Sequence, residues 1–194
     1  MTRITIIQGH PDPVGGHLLH ALAGAYAMAA QAAGHEVRVL EVARLRVPPL
    51  LTAEDFASEA IAPDIRAAQE SLAWAQHWVV FYPLWLGCMP AGLKAFWEQA
   101  LRPGFVREGG QDITTGRLRL KGRTAHVVVS MGMPGFIYRW FYGAPGVKAL
   151  ERNILGFIGV KPRRRTIIGG VGQMTAERAK AWLARMEAAG RAAG

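Results

Sequence analysis

Residues 77–101 read HWVVFYPLWLGCMPAGLKAFWEQAL, and this stretch decides the fold. Its first part, HWVVFY, is a short run of β-branched and aromatic residues, a pattern that predicts a strand. Its last part, PAGLKAFWEQAL, predicts a helix that starts at Pro90. No residue from Trp78 to Leu93 carries a charge, so the loop between the strand and the helix is neutral. An apolar strand followed directly by a helix is the repeating unit of an α/β fold.

The same alternation of strand and helix recurs along the chain. RITIIQ, from Arg3 to Gln8, predicts a first strand, and the alanine-rich stretch from His17 to Gly34 predicts a helix ended by glycine. The further predicted strands are EVRVLEV, TAHVVVS and RRTIIGG, and the further predicted helices are PDIRAAQESLAWAQ, GVKALERNILGFIG and TAERAKAWLARMEAAG. Because parallel strands need crossover helices, this alternation predicts a parallel sheet with helices on both faces. No repeat or charge block divides the chain, and we expect one domain over residues 1–194.

Composition limits the class of protein. The chain has 194 residues, a hydrophobic content of 51% and a single cysteine, Cys88, which excludes an internal disulfide framework. No apolar run approaches the roughly 20 residues that span a bilayer, and Met1 leads into a strand without a secretory leader, so we expect a cytoplasmic protein. A net charge of +9 is compatible with nucleic acid, an anionic membrane surface or a phosphorylated small molecule as partner.

The loops beyond the carboxyl ends of the strands are where an open doubly wound sheet binds its ligands. The loops after strands one, three and four read GHPDPVGGH, PLWLGCMP and MGMPGF. None contains the nucleophile-elbow, Walker or dinucleotide fingerprint of the common α/β enzymes. A glycine pair at a helix start favours a phosphate, and a neutral wall with a tryptophan favours a planar ring. Together the loops would suit a flavin mononucleotide moiety, with the cofactor supplying the chemistry.

Three motifs carry a resemblance to a known family. They are GHPDP after the first strand, YPLWLGCMPAGLKAFWEQALRPGF after the third, and YGAPGVKALERNILGFIGVKP before the fifth. With them the chain resembles the flavodoxin-like NAD(P)H:quinone oxidoreductases, which include the modulator-of-drug-activity type and the ancillary subunits of potassium efflux systems. The resemblance implies a doubly wound five-stranded parallel sheet in the order 2-1-3-4-5. It also implies a homodimer with active sites at the subunit interface, bound FAD or FMN, and hydride transfer from NADH or NADPH to the flavin and then to a quinone.

The resemblance also implies positions for the site residues. By position, the residues that would border the flavin phosphate and ribityl chain are His10, Gly16, His17 and Leu18. Those that would line the isoalloxazine ring are Pro83, Leu84, Trp85 and Leu86, and those along its other edge are Met131, Gly132 and Met133. Tyr138 falls where the family often has an active-site tyrosine, which makes it the candidate catalytic residue.

The chain departs from the family pattern at three places. Many relatives have serine or asparagine in the phosphate loop, where this chain has Val14, Gly15 and Gly16, leaving backbone amides and His17 to meet a phosphate. The usual paired glycines after strand four appear as Gly132 and Met133, and Met133 with Phe136 would narrow the space over the ring. The family histidine that follows the tyrosine would fall near Ala144, so a tyrosine–histidine proton relay is not expected.

Several of these residues also have a plain structural interpretation. Trp85 could fill a gap under a loop, although its place at a strand end favours a ring contact. Cys88 is expected to be a small buried residue and not a nucleophile, because no base or cation lies near it in sequence. The residues His10, Asp12, His17 and His20 match no standard metal spacing, so no metal site is expected.

Two clusters invite functional interpretations. The stretch YRWFY, from Tyr138 to Tyr142, could form a dimer contact, a substrate roof or a membrane-facing patch, and the dimer contact is favoured because exposed aromatics at this density are seldom left bare. The simplest interpretation of KPRRR, from Lys161 to Arg165, is that it is the solvent-exposed start of the fifth strand. It, or the basic set Arg117, Arg119, Lys121 and Arg123, could instead attract the phosphates of NADPH. These last four residues belong to a long polar segment, from Arg102 to Arg123, of a length that is usually functional or mobile.

Three functions remain to be compared. The first is a flavin-dependent NAD(P)H:quinone oxidoreductase with a quinone-type acceptor, using FAD or FMN and NADPH or NADH. The second is a flavin-binding regulatory subunit of a potassium efflux transporter, since the family contains both roles and a basic surface suits a cytoplasmic membrane face. The third, a nucleic-acid binder, is suggested only by charge and is not expected, because no helix-turn-helix or aromatic platform motif supports it.

Overall fold

The computed structural model describes residues 1–109, 114 and 116–193. Its strands are β1 (Arg3–Gln8), β2 (Glu36–Glu41), β3 (His77–Pro83), β4 (Thr124–Ser130) and β5 (Lys161–Ile168). They form one sheet in the order β2-β1-β3-β4-β5, and every neighbouring pair is parallel. The predicted α/β class and the strand order 2-1-3-4-5 are confirmed.

Helices lie between successive strands and after the last strand, β5. They are α1 (Leu18–Ala32), α2 (Ala53–Ala57), α3 (Pro63–Trp74), α4 (Ala91–Ala100), α5 (Pro103–Val106), α6 (Pro145–Lys148) and α7 (Ala176–Arg191). Two wider π-helical segments cover Ile137–Phe141 and Ala149–Gly156, and short 3₁₀ turns cover Val42–Arg44 and Val171–Gln173. Among the residues described, no helix has both the length and the apolar character needed to cross a membrane.

The sheet is covered on both faces because β3 alternates its side chains between two cores. Val79 and Phe81 point to one face, where they pack with α1 and α7. Trp78, Val80 and Tyr82 point to the other face, where they pack with α3, α4 and the helix after β4. All seven residues of β3 are buried, as a central parallel strand requires. The prediction of helices on both faces is therefore confirmed.

Three local features differ from the sequence expectations. The helix predicted from Gly146 begins as α6 and continues as the π-helical segment Ala149–Gly156. β5 starts at Lys161 and not at Arg164, because Lys161 pairs with Thr124 at the start of β4. The short helix α2 was not predicted, although Thr52 and Asp55 form a capping box around its first turn, which is a recognisable start signal.

The long polar segment predicted between Arg102 and Arg123 is structured where it is described. It contains α5 and an antiparallel bridge between Arg107 and Leu118. Residues 110–113 and 115 of this segment lie outside the described part of the chain. The described portion therefore folds back on itself directly after α5.

Candidate active site at the carboxyl end of the sheet

The three candidate loops leave the sheet at the same edge. β1 ends beside β3, where Gln8 pairs with Phe81, and β3 ends beside β4, where Pro83 pairs with Ser130. Because all strands run in parallel, the loops that follow Gln8, Pro83 and Ser130 share one end of the sheet. The register thus brings together loops that are more than 100 residues apart in the chain.

The first loop is anchored where it leaves β1. The Gly9 N–H donates to the Phe81 carbonyl over 2.7 Å, and a Cβ at Gly9 would come within 2.6 Å of Leu93 Cδ2. Gln8 is buried, and its amide donates to the Leu19 carbonyl while its oxygen accepts from the His10 N–H over 3.0 Å. A larger residue at position 9 would displace the Leu93 side chain, and Gln8 links the strand end to the start of α1.

Histidines and one aspartate lie close together in the first loop and the first turn of α1. The rings of His10 and His17 stack with centroids 4.0 Å apart, and His20 lies 5.0 Å from His10. Asp12 Oδ2 accepts a hydrogen bond from His17 Nε2 over 2.8 Å, and His10 Nδ1 accepts from the Asp12 N–H over 3.2 Å. Burial, reinforced by the neighbouring imidazoles, lowers the pKa of His10 to about 4. His10 is therefore neutral at pH 7.

The glycine pair precedes an uncapped helix. Gly15 and Gly16 have φ angles of 88° and 80°, a region that glycine enters without strain. A Cβ at either residue would meet nothing within 4 Å, so their backbone faces open space. α1 then begins at Leu18 with no side-chain cap at His17 and no acidic residue in its first turn. The free N–H groups of this turn form the kind of site that binds an anion.

The second loop is a tight, exposed turn. Trp85 and Cys88 exchange two backbone hydrogen bonds of 2.9 and 3.0 Å, and the two residues between them, Leu86 and Gly87, have φ angles of 47° and 80°. Leu86 is fully exposed and Trp85 is 53% exposed, with its ring 6.5 Å from that of His10. A large ring left half bare beside the first loop supports its predicted role as a ligand wall. Pro83, buried at the end of β3, and Leu84, half-buried, lie beneath this turn.

Cys88 corrects one expectation. The thiol was predicted to be a small buried group, but Cys88 is exposed. The turn explains the difference, because the paired backbone hydrogen bonds with Trp85 leave the side chain outside the core.

The third loop is held against the end of β5. Met131 is buried, whereas Met133 is partly exposed and a Cβ at Gly132 would meet nothing within 4 Å. The Met133 carbonyl accepts from the Gly170 N–H over 3.0 Å, and a Cβ at Gly169 would overlap the backbone of Gly135. The backbone at Gly132 thus faces open space while the rest of the loop is fixed from behind.

Tyr138 is buried and not on the open surface. It is 1% exposed, and its hydroxyl lies 3.4 Å from the Gly87 carbonyl and 3.3 Å from the Val147 N–H. Burial raises the pKa of this hydroxyl, so it stays protonated. In this geometry Tyr138 supports the exposed turn from within, and its predicted catalytic role stays a prediction.

The aromatic stretch predicted to act as one cluster is divided. Tyr138 joins the core, whereas the exposed aromatic patch consists of Phe136, Trp140, Phe141 and Tyr142. This aromatic patch follows directly on the third loop. Its neighbour is a cleft of about 560 Å³ whose lining includes Arg139, Arg178 and Trp182. Residues of α7 were not predicted to lie here, because no local sequence signal gives the path of the chain after β5.

The basic stretches do not reach this edge. Lys161 begins β5 and donates its backbone N–H to the Arg123 carbonyl, which places both residues at the amino end of the sheet. Arg165 forms an ion pair with Glu151 through Nε and Oε1 at 2.8 Å. Lys161 and Arg123 therefore lie away from the strand-end loops, and the attraction of NADPH phosphates by the basic stretches stays a prediction. A different arginine does reach the first loop, since Arg44 after β2 donates to the Pro13 carbonyl over 3.0 Å.

The arrangement can hold a cofactor with a phosphate and a planar ring. The open glycine backbone and uncapped helix start offer N–H donors, and the exposed turn offers an apolar wall beside His10. These features fit a flavin nucleotide, which combines an anionic end with a flat ring. Among the described residues, no group of three or more His, Cys, Asp or Glu side chains has the geometry of a metal site.

Comparisons with known proteins agree with this fold. A family model described as a flavodoxin-like fold matches residues 2–189. The structure of the NAD(P)H:quinone oxidoreductase from Methanothermobacter marburgensis superimposes with a TM-score of 0.79 and 22% identity, covering 98% of this chain and 94% of that chain. An FMN-dependent NADH-azoreductase from Bacillus anthracis, solved in complex with FMN, superimposes with a TM-score of 0.68 and 16% identity, covering 97% of each chain.

A curated relative is matched over only part of its length. The ribosyldihydronicotinamide dehydrogenase-like protein of Penicillium crustosum is 24% identical over an alignment of 182 residues, and the match covers 79% of this chain. The match spans 64% of that relative's own length.

Proposed function

The chain belongs to the family of flavodoxin-like folds, and on that premise we propose that it is a flavin-dependent NAD(P)H:quinone oxidoreductase. The observation that carries the proposal is the exposed Trp85–Cys88 turn standing beside an uncapped, glycine-led helix start. The names of the two solved neighbours, a quinone oxidoreductase and an FMN-dependent azoreductase, support it. We place the protein in the cytoplasm, where NADH and NADPH are available.

When bound, the flavin would supply hydride transfer from NADH or NADPH to its ring and then transfer of two electrons to a quinone-type acceptor. The residues of the chain would bind and orient it. The phosphate and ribityl contacts are assigned to His10, Gly16, His17 and Leu18. The ring contacts are assigned to Pro83, Leu84, Trp85, Leu86, Met131, Gly132 and Met133. Pro83 and Met131 are buried, so they would act by supporting the loop backbone.

We assign Tyr138 a positioning role. Its hydroxyl contacts the Gly87 carbonyl and the Val147 N–H, so it holds the turn that carries Trp85 and Leu86. A group that contacts only protein backbone cannot donate a proton to a substrate without first moving. Control of the turn is thus the role that the geometry supports.

We propose a homodimer with the aromatic patch in the interface. Trp140 and Phe141 are each more than three-quarters exposed, which is costly for a free monomer. A second subunit covering them would also approach the third loop and exclude water from the ring. Light scattering of the purified protein would test this, with a Phe141→Glu variant expected to shift the mass toward a monomer and Val14→Glu, an exposed apolar residue outside the patch, expected to leave it unchanged.

The function is tested by the visible absorption spectrum of the purified protein, followed by chromatography of the ligand released by heat. Flavin bands with FAD or FMN in the supernatant would support the proposal and identify the cofactor. NADH and NADPH oxidation with a quinone would then be compared. A colourless protein that binds no added flavin and oxidises neither nucleotide would contradict it.

A second candidate is the ancillary subunit of a potassium efflux transporter. It is favoured by the net charge of +9, which suits an anionic membrane face, together with the exposed aromatic patch. The oxidoreductase and the ancillary subunit would both bind flavin. Recovery of the protein only in the soluble fraction of gently broken cells would count against the second role.

A further inference from the structure

The first loop and the first turn of α1 hold more imidazoles than a phosphate site made of backbone amides needs. The rings of His10 and His17 are 4.0 Å apart, those of His10 and His20 are 5.0 Å apart, and those of His17 and His20 are 5.7 Å apart. Imidazoles this close repel one another when protonated, so an anion beside them favours their protonation. We call His10, His17 and His20 the histidine cluster.

The acidic groups around the histidine cluster already have partners. Asp12 accepts from His17 Nε2 and from the Val14 N–H. Glu41, at the end of β2, pairs with Arg44, and Arg44 also donates to the Pro13 carbonyl. These are the charged groups that face the loop. Neither carboxylate forms an ion pair with His10 or His20.

His20 is the member that family likeness did not assign to the site. Its Nδ1 atom is buried and has no hydrogen-bond partner among the described residues. Burial also lowers the pKa of His20, with His17 adding to the effect, just as it lowers that of His10. Two neutral imidazoles thus lie within reach of the helix start that would receive a phosphate.

We propose that the histidine cluster is a proton-coupled phosphate clamp, in which His10 or His20 takes up a proton from solvent when the flavin phosphate binds. The proposal rests on the proposed flavin function and adds a specific role for His20. A phosphate dianion beside the rings favours their charged form, and so it offsets the burial and the mutual repulsion that keep them neutral. The clamp compensates for the missing serine or asparagine of the loop and makes the affinity for the phosphate increase as pH falls.

The test compares FMN with riboflavin, which has the same ring and no phosphate. Apoprotein would be titrated calorimetrically with each ligand from pH 8.5 to 6.5, a range in which a phosphomonoester with a second pKa of about 6 stays largely dianionic. Each titration would be repeated in two buffers of different ionisation enthalpy, which reports the protons taken up. The clamp predicts proton uptake with FMN and an affinity that rises up to about tenfold per pH unit, the limit for one coupled proton. Riboflavin should show neither effect.

Single substitutions distinguish loss of the clamp from a nonspecific loss of flavin binding. His20→Asn should reduce proton uptake with FMN while leaving riboflavin affinity within about twofold, and His10→Asn should reduce the same proton uptake. His35→Asn, a histidine remote from the loop that accepts from the Thr2 N–H, serves as the matched control and should behave like the original protein.

The outcomes distinguish two failures. Binding of both flavins without proton uptake, or uptake that persists unchanged in the His10 and His20 variants, overturns the clamp and leaves the flavin function intact. Failure of both FMN and riboflavin to bind overturns the flavin function itself, and the clamp with it.

Discussion

The hydroxyl of Tyr138 lies 3.4 Å from the carbonyl oxygen of Gly87, to which it donates a hydrogen bond, although the two residues are 51 positions apart. The same hydroxyl accepts from the Val147 N–H at the start of α6. Gly146, the neighbour of Val147, approaches the turn so closely that a Cβ there would overlap the Gly87 carbonyl. One buried side chain therefore joins the exposed turn after β3 to the helix that follows β4.

Replacing Tyr138 with phenylalanine tests whether this residue positions the turn or transfers a proton. Loss of the hydrogen bonds should lower the free energy of unfolding by about 1 kcal/mol. If the residue acts by position, kcat for quinone reduction should fall less than about tenfold and its pH profile should keep its shape. A fall of about a hundredfold or more with an altered pH profile would instead indicate general acid catalysis.

Replacement of Trp85 tests its proposed contact with the isoalloxazine ring. Trp85→Ala should weaken riboflavin binding about tenfold, since loss of a ring contact costs about 1 kcal/mol or more, whereas Trp85→Phe should retain most of the affinity. Flavin fluorescence titration measures both. Trp74→Ala is the control, because Trp74 does not belong to the three loops. Its ring centroid lies 4.1 Å from Arg38 Cζ. Equal losses for the variants at positions 74 and 85 would contradict a ring contact.

A Gly16→Ala substitution tests the phosphate loop through backbone conformation alone. At a φ of 80° an alanine is strained by about 1 to 2 kcal/mol, yet its Cβ would meet nothing within 4 Å. FMN affinity should therefore fall about tenfold while riboflavin affinity changes little. Gly172→Ala, at a glycine with open space and without a positive φ, is the control. Parallel losses for FMN and riboflavin would place position 16 outside the phosphate contact.

The backbone of Leu86 lies in the left-handed region, which strains a leucine. Replacing it with glycine should increase stability and weaken flavin binding. The side chain is fully exposed at a φ of 47°, so Leu86→Gly removes strain without removing core packing. The free energy of unfolding of the apoprotein should rise by about 0.5 to 1 kcal/mol, less than the full strain because glycine adds unfolded-state entropy.

The same Leu86→Gly variant should bind riboflavin more weakly, because the proposed wall loses a side chain. Thermal unfolding and fluorescence titration measure the two effects. The control is Leu51→Gly, an exposed leucine without a positive φ, which should only lose stability. A lower melting temperature for Leu86→Gly would refute the strain argument.

Stability should fall in mild acid because two histidines are buried in a neutral form. Burial lowers the pKa of His77 to about 4 and that of His126 to about 3. The unfolded chain, with histidine pKa values near 6.5, takes up these protons first, so the free energy of unfolding decreases as pH falls from about 6.5 to 4. The loss should reach about 2 to 4 kcal/mol per histidine.

Urea unfolding at several pH values measures this loss. His126→Gln, which can still bond to Thr166 as the Nε2 atom does at 2.9 Å, should show a shallower decline over the same pH window. An unchanged slope in this variant would mean that the pKa of His126 is the same in the folded protein as in the unfolded chain.

Local pattern was sufficient for the elements that build the sheet. The strand HWVVFY and the helix PAGLKAFWEQAL appear as β3 and α4, with ends shifted by one residue. The glycine pair was also readable, because residues 15 and 16 precede a helix and both adopt positive φ. Hydrophobic period and turn chemistry are properties of neighbouring residues, so they are visible without the fold.

The site was predicted less completely, and the errors share a cause. Cys88 is exposed because of the turn that it closes with Trp85, and Arg44 reaches Pro13 because β2 lies beside β1. Neither the conformation of a turn with a leucine at positive φ nor the neighbour of a strand is encoded within a few residues. The candidate catalytic role of Tyr138 and the single-domain expectation stay predictions.

The sequence by itself determined the order of strands and helices, the neutral character of the loop after β3 and the glycine-led start of α1, because each depends on spacing and residue type along one short segment. Only the tertiary structure decided that the rings of His10, His17 and His20 lie within 4.0 to 5.7 Å of one another, that Tyr138 supports Gly87 from inside the core, and that the basic start of β5 lies at the far end of the sheet. These relations follow from strand register and from the paths of long connections, which are fixed by the packing of the whole chain.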